Sequence, residues 1–294
     1  MAVTATMVKE LRERTGAGMM DCKNALQEAD GDIEKAIEDM RKSGMAKAAR
    51  KASRIVAEGL VVIKKNEKTG QAVIAEINSE TDFVTKDDGF KGFCDEVATC
   101  ILDDQPADVD TLMDSKVGDT GQTVEESRQQ LVSKIGENIS VRRFSQLDPA
   151  QGTLGAYLHG VRIGVLVELD GGDEALAKDI AMHIAASNPA CIAEEDVPQE
   201  LLAKEKEILV AQAEESGKPP EIIEKMVGGR INKFLKEITL LGQPFVKDPD
   251  QTVAKLLESA GATVKNYIRY EVGEGLEKRN DNFAEEVMAQ AKGE

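Results

Sequence analysis

The side chains best suited to metal or covalent chemistry are few: His159, His183, Cys22, Cys94, Cys100 and Cys191. A zinc or redox site needs thiols and imidazoles at short spacings such as C-x-x-C, and no two cysteines stand that way. Buried, reduced thiols are the expectation for all four. No phosphate-binding loop is present, since Gly217-Lys218 run into two prolines where a Ser or Thr and a helix should follow. G-x-G-x-x-G, G-x-S-x-G, H-E-x-x-H and calcium-loop patterns are also missing. Nothing assembles a nucleophile, a base and an oxyanion donor, so the expectation is a protein that is not an enzyme and carries no cofactor or metal. His183 falls between Ile180 and Ile184 on an apolar helical stripe, where a satisfied core or edge histidine is expected. His159, in Leu158-His159-Gly160, sits at a turn between strand-like runs, a place where contact residues are presented.

The elements that must carry these residues can be read from periodicity. Residues 4–42 give three short amphipathic helices, with Thr4 or Thr6 capping the first and Asp30-Gly31 separating the second from the third. Met19, Cys22, Leu26 and Ala29 form the stripe of the second helix, and Asp32 opens the third. A bundle of about 40 residues is marginal by itself. Residues 41–54 are basic without one acidic residue; a solvated helix extension, a linker, or a contact with an acidic partner would each fit. Residues 59–79 form a strand hairpin around Asn66–Gly70, followed by a helix with Phe90, Phe93, Cys94, Val97, Ala98 and Ile101 on one face. Residues 153–172 and the helix after them repeat that order, and residues 139–144 and 262–273 add strands. Two similar α+β halves with antiparallel sheets result.

The second half is interrupted by an antiparallel helical hairpin at about 197–238, broken at Pro219-Pro220. Its facing rows are expected to be Leu201, Ile208 and Ala211 against Ile223, Met226, Val227 and Phe234. A short terminal helix at 282–290 carries Phe283 and Val287. The expected organisation is therefore a three-helix module with its basic linker (1–54), a first α+β half (55–145), a second half holding the hairpin (146–274), and a C-terminal helical module (275–294).

Composition narrows the function classes. The 294 residues carry a formal charge of −17, with 41% hydrophobic and only 3% aromatic residues. Phosphate neutralisation needs a basic domain, and single-strand binding needs stacking aromatics, so nucleic acid is disfavoured as the ligand. The opening MAVTATMVKELRER brings charge too early for a signal peptide, and no apolar run reaches the roughly 18 residues of a membrane helix. A cytoplasmic protein without membrane contact is expected.

Several segments resemble one family in order along nearly the whole chain. LRERTGAGMMDCKNAL (11–26) and INSETDFVTKDDGF (77–90) are similar to the two signatures of the elongation factor Ts family. KIGENISVRR (134–143), YLHGVRIGVLV (157–167), GQPFV (242–246) and IRYEVGEGLEK (268–278) match as well. The resemblance implies a ubiquitin-associated-like N-terminal bundle, a core of two repeated halves, an inserted coiled-coil hairpin and a terminal helical module. It implies a guanine-nucleotide exchange factor that binds elongation factor Tu, GDP-bound or nucleotide-free, and promotes GDP release so that GTP enters during translation elongation. Two places depart from the family pattern: Ser79-Glu80 stand where Cys-Gln is usual, and Thr85 where Ala is common.

By the same resemblance, Thr81, Asp82, Phe83 and Val84 form the intruding loop. Phe83 would wedge between partner helices beside the Mg²⁺ site, and Asp82 would disturb groups holding the ion. From residue types alone the alternative is ordinary, with Thr81 or Asp82 capping a helix and Phe83 packed inside. Arg12, Met19, Met20, Ile135, Gly136 and His159 carry over as further contacts, with core packing the alternative for Met19. The hairpin would grip the partner, a second copy, or both. A helical binding module using residues 4–42, an RNA factor using 41–54, and an enzyme are the rival readings. Binding to a nucleotide-free GTPase separates the exchange factor from all three.

Overall fold

The computed structural model describes residues 3–15, 17–118, 121–149, 152–215 and 219–277. They fold as a mixed α+β chain dividing into two compact units, one within residues 3–64, 75–144 and 271–277, the other within 65–74 and 145–270.

In the first unit, helices α1 (Ala5–Thr15), α2 (Met19–Glu28) and α3 (Ile33–Lys51) come first. Thr4 Oγ1 accepts the Met7 N–H at 3.3 Å, and Asp32 accepts the Lys35 N–H at 3.0 Å. These are N-caps satisfying donors that a helix start leaves free. Leu11, Cys22, Ala25, Leu26 and Ala36 are buried together, with Met7, Ile33, Ile37 and Met40 packed around them. Met19, expected in this stripe, is instead 62% exposed, as is Met20. Met19 is the first residue of α2, and the buried stripe begins at Cys22. The basic stretch 41–54 is helical through Lys51, with Gly44 and Ala48 buried.

Strands β1 (Glu58–Lys65), β2 (Ala72–Ser79) and β3 (Ile139–Leu147) form a sheet in the order β1-β2-β3. Every residue of the central strand β2 is buried. Helix α4 (Asp88–Asp104) buries Phe90, Phe93, Cys94, Val97, Ala98 and Ile101, the face the sequence pattern marks out. Two further helices, α5 (Val109–Asp114) and α6 (Val124–Ile135), lie in a span the periodicity left unassigned. A signal for α6 was present: Thr123 and Glu126 make a capping box, each side chain taking the other's backbone N–H at 3.1 and 3.0 Å.

The second unit contains β4 (Thr153–His159), β5 (Ile163–Asp170), α7 (Glu174–Ser187), α8 (Gln199–Glu214), α9 (Pro220–Ile238), β6 (Pro244–Phe245), β7 (Asp248–Thr252), α10 (Val253–Ser259) and most of β8 (Thr263–Glu271). β4 and β5 are antiparallel in the register Thr153↔Leu169 to His159↔Ile163. The sheet order β4-β5-β8 repeats the first, a hairpin whose second strand becomes central, then helix, then a third strand beside it. Helix α7 approaches β4 so closely that a Cβ on Gly155 would fall 2.3 Å from the Ala177 carbonyl oxygen. Val165, Val167, Leu169, Ile180 and Ile184 fill the core between them.

Helices α8 and α9 fold back on each other through Leu209, Ala213 and Val227, with Ile223 and Ile231 beside them. Of the expected α9 row, Ile223 and Val227 lie in this cluster and Met226 and Phe234 do not, Ile231 taking the next place; on α8 Leu201, Ile208 and Ala211 are exposed, while Leu209 and Ala213 are buried. Both rows hold apolar residues at helical spacing, so spacing alone does not choose between them.

Among the described residues no helix is long and apolar enough to cross a membrane. Cys22, Cys94 and Cys100 are buried free thiols, and Cys191 is a half-buried one. The expected helix at 282–290, with Phe283 and Val287, lies outside the described residues.

Candidate functional site

The tetrapeptide Thr81-Asp82-Phe83-Val84 leaves β2 and enters a single 3-10 turn, Asp82–Lys86, before α4. Phe83 is 73% exposed, so it does not pack inside. Asp82 is exposed beside it, and Val84 points inward, buried. Lys86 Nζ lies 5.6 Å from the Phe83 ring centroid, within cation–π range. Thr81 does not cap the turn with its side chain, and Asp87 caps α4 by accepting the Phe90 N–H at 3.0 Å. The Thr81 hydroxyl and N–H instead both go to the Glu137 carboxylate, at 2.7 and 2.9 Å.

Glu137 belongs to the turn that ends α6, which brings Ile135 and Gly136 to the root of the loop. Gly136 is the C-cap of α6 at φ +90°, a left-handed conformation that suits glycine. Ile135 is half-buried and Gly136 exposed. The Gly136 carbonyl accepts from Lys51 Nζ at the end of α3, and Arg41 pairs with Glu126 farther along the two helices. The basic stretch therefore serves partly as a seam between α3 and α6. Ser79, Glu80 and Thr85 also sit at this root. The Ser79 hydroxyl donates to the Thr81 carbonyl at 2.8 Å, and the Glu80 carboxylate accepts the Asn138 N–H at 2.6 Å. Thr85 donates its hydroxyl to the Asp82 carbonyl at 2.7 Å, inside the turn.

Arg12, Met19 and Met20 are exposed on α1 and α2. A flexible, polarisable thioether is a side chain suited to a binding surface. A cavity of about 640 Å³ lies beside the bundle, edged by Arg14, Asp21, Lys47, Glu96 and Lys134, charges of both signs. None of the candidate residues lines it.

In the second unit His159 closes β4, paired with Ile163 across the turn, and is exposed. Its Nδ1 lies 3.3 Å from the Tyr157 hydroxyl. Leu158 and Val161 are exposed beside it, giving the tip an apolar surface the sequence reading did not single out. His183 is fully buried: Nδ1 accepts the Val246 N–H at 3.2 Å and Nε2 meets Gln243 Oε1 at 2.9 Å. With Nδ1 accepting, the proton resides on Nε2, so the ring is a neutral, fully partnered core imidazole. Burial lowers its pKa, opposed by the Gln243 bond.

One buried ionic cluster escaped the sequence reading. Glu76, in the middle of β2, accepts from the Gly273 N–H at 2.8 Å, Asn78 at 3.0 Å, Arg142 at 3.0 Å and Arg143 at 2.7 Å. Burial opposes its ionisation, yet these donors prevail and hold its carboxyl below the usual range. Both oxygens are engaged by the chain's own donors, which suits a structural clamp on residues 273–274 rather than a reacting group. No group of three or more His, Cys, Asp or Glu able to hold a metal occurs among the described residues.

A family model described as Elongation factor TS matches residues 80–274. The chain is 64% identical over 294 residues to the elongation factor Ts of Thioalkalivibrio sulfidiphilus, covering 100% of both chains. It is 58% identical over 293 residues to that of Alkalilimnicola ehrlichii, again covering 100% of each. With the protein of that name from Alcanivorax borkumensis it shares 61% over 287 residues, 98% of this chain and 100% of the relative.

Proposed function

Since the chain belongs to the elongation factor Ts family, we propose that it is the guanine-nucleotide exchange factor of a cytoplasmic elongation factor Tu. It binds the GDP form, disturbs the Mg²⁺ and phosphate site, and leaves a nucleotide-free complex that GTP resolves. It does so as a binding protein, without a chemical step and without a cofactor of its own. The observation that carries the mechanism is Phe83, a large apolar side chain 73% exposed on a turn anchored by buried Val84.

Mg²⁺ joins the nucleotide phosphates to the GTPase, partly through water, so displacing the groups around it weakens ion and nucleotide together. Phe83 acts as the wedge and Asp82 as the charge that competes for those groups. A ~10⁴-fold acceleration of release needs about 5.5 kcal/mol off the barrier. Burying one Phe supplies roughly 1.5–3 kcal/mol, so further contacts must contribute. Arg12, Met19 and Met20 on the bundle, which serves as a ubiquitin-associated-like module, meet the nucleotide domain. Ile135 and Gly136 add contacts beside the loop, and His159 adds one from the second unit. The α8–α9 hairpin serves as a coiled coil, gripping the partner or a second copy, and the C-terminal module grips the partner elsewhere.

Linkage supplies the test. If the factor lowers GDP affinity, GDP lowers the factor's affinity by the same ratio. Titration calorimetry with nucleotide-free elongation factor Tu should give tight binding that weakens as GDP and Mg²⁺ are added. Equal affinity with and without nucleotide would leave a binding module and remove the exchange function.

A further inference from the structure

We propose that Glu137 is a positioning residue for exchange, one that holds the Asp82-Phe83 loop in the geometry its partner meets; this rests on the function proposed above. Three separate segments are laced together at the loop's root. Glu137 takes the Thr81 N–H at 2.9 Å on one carboxylate oxygen and the Thr81 hydroxyl at 2.7 Å on the other. One residue along each segment, Glu80 takes the Asn138 N–H at 2.6 Å and pairs with Arg54 at 3.3 Å. Asn138 in turn donates its side-chain amide to the Arg54 carbonyl at 3.2 Å and the Ala52 carbonyl at 3.4 Å. The end of α3, the exit of β2 and the turn after α6 thus meet at one joint.

The forked contact on Thr81 fixes orientation as well as distance, because two donors of one residue engage two oxygens of one carboxylate. Asp82 and Phe83 follow immediately, and buried Val84 fixes the far end. With both ends held, the loop requires little ordering when it meets a partner. The same turn carries Ile135 and Gly136, so the joint sets the loop and those contacts in one register. Glu137 itself needs no contact with the partner.

The test uses the full-length protein with Glu137→Ala, Glu137→Gln and Thr81→Val, each checked for a native thermal melt. Release of fluorescent GDP from elongation factor Tu is followed over a range of factor concentrations. Glu137→Ala should lower the maximal release rate about tenfold, short of the ~10²-fold that a full 1 Å misplacement of a positioned group can cost, and should move the half-saturating concentration less than about threefold. Gln retains a carbonyl acceptor for the Thr81 N–H and an amide facing its hydroxyl, so Glu137→Gln should recover most of the rate. Thr81→Val, which loses one arm of the fork, should fall between them. Hydrogen exchange at the Thr81 amide of the free factor should quicken in Glu137→Ala and not in Glu137→Gln. Faster amide exchange with an unchanged maximal rate would overturn the positioning role, as would a Gln variant no better than Ala. A wild-type factor that fails to accelerate release would overturn the exchange function, while the amide measurement would still report whether Glu137 holds the loop.

Discussion

Phe83 and Val84 are adjacent in sequence and opposite in environment: the first is 73% exposed and the second 4% exposed. One residue is presented and its neighbour is the anchor, which separates the proposed wedge from the packing at a single peptide bond. Phe83→Ala should leave folding stability within about 0.5 kcal/mol of the parent, as exposed substitutions do. Val84→Ala should lower it by roughly 1–3 kcal/mol through lost burial and a small cavity. Urea denaturation of the two variants checks this; a large loss for Phe83→Ala would mean that the ring packs rather than projects.

Acid should destabilise the second unit through His183. Its folded pKa lies below the ordinary 6.5, with burial the first cause and the Gln243 bond opposing it. A group depressed on folding contributes fully above its unfolded pKa and loses that contribution as pH falls through the folded one. Stability should therefore decline as pH drops from about 6.5. Denaturation at pH 7.5 and 5.5 would show the decline, and His183→Gln should flatten it. An unchanged slope in that variant would assign the effect to other groups.

Glu76 follows the carboxylate version of the same linkage. Its pKa is held below the ordinary 4.5, burial opposing and the Gly273, Asn78, Arg142 and Arg143 donors prevailing. Its contribution is present above about pH 4.5 and is lost as pH falls through the depressed value. Glu76→Gln leaves two arginines facing a neutral amide and should cost about 2–3 kcal/mol. That is below the roughly 3–5 kcal/mol for breaking a fully buried pair, because both guanidinium groups retain some water access. A guanidinium melt at pH 7 measures it; stability equal to the parent would mean that the cluster contributes no net stability.

Much of the architecture was legible because apolar periodicity and caps agree. The stripe of α4, the hairpin around Asn66–Gly70 and the Asp32 cap all stand where the residues pointed. Helix α6 was missed because its apolar face is short, although Thr123 and Glu126 marked its start. The buried face of α8 was misread because Ile208 and Leu209 are equally apolar neighbours, and only the opposing helix selects between them. At the candidate site, residue types alone favoured packing Phe83 inside, and the resemblance was needed to bring it out. The Thr81–Glu137 fork was illegible, since a contact across 56 positions leaves no local pattern.

The most direct test is stopped-flow release of fluorescent GDP from elongation factor Tu, comparing the parent with Phe83→Ala and Asp82→Ala. The expected result is acceleration that saturates with the parent and falls roughly ten- to a hundredfold for Phe83→Ala, the range set by burying one Phe. Acceleration unchanged in both variants would contradict the wedge while leaving exchange intact, and no acceleration by the parent would contradict exchange itself.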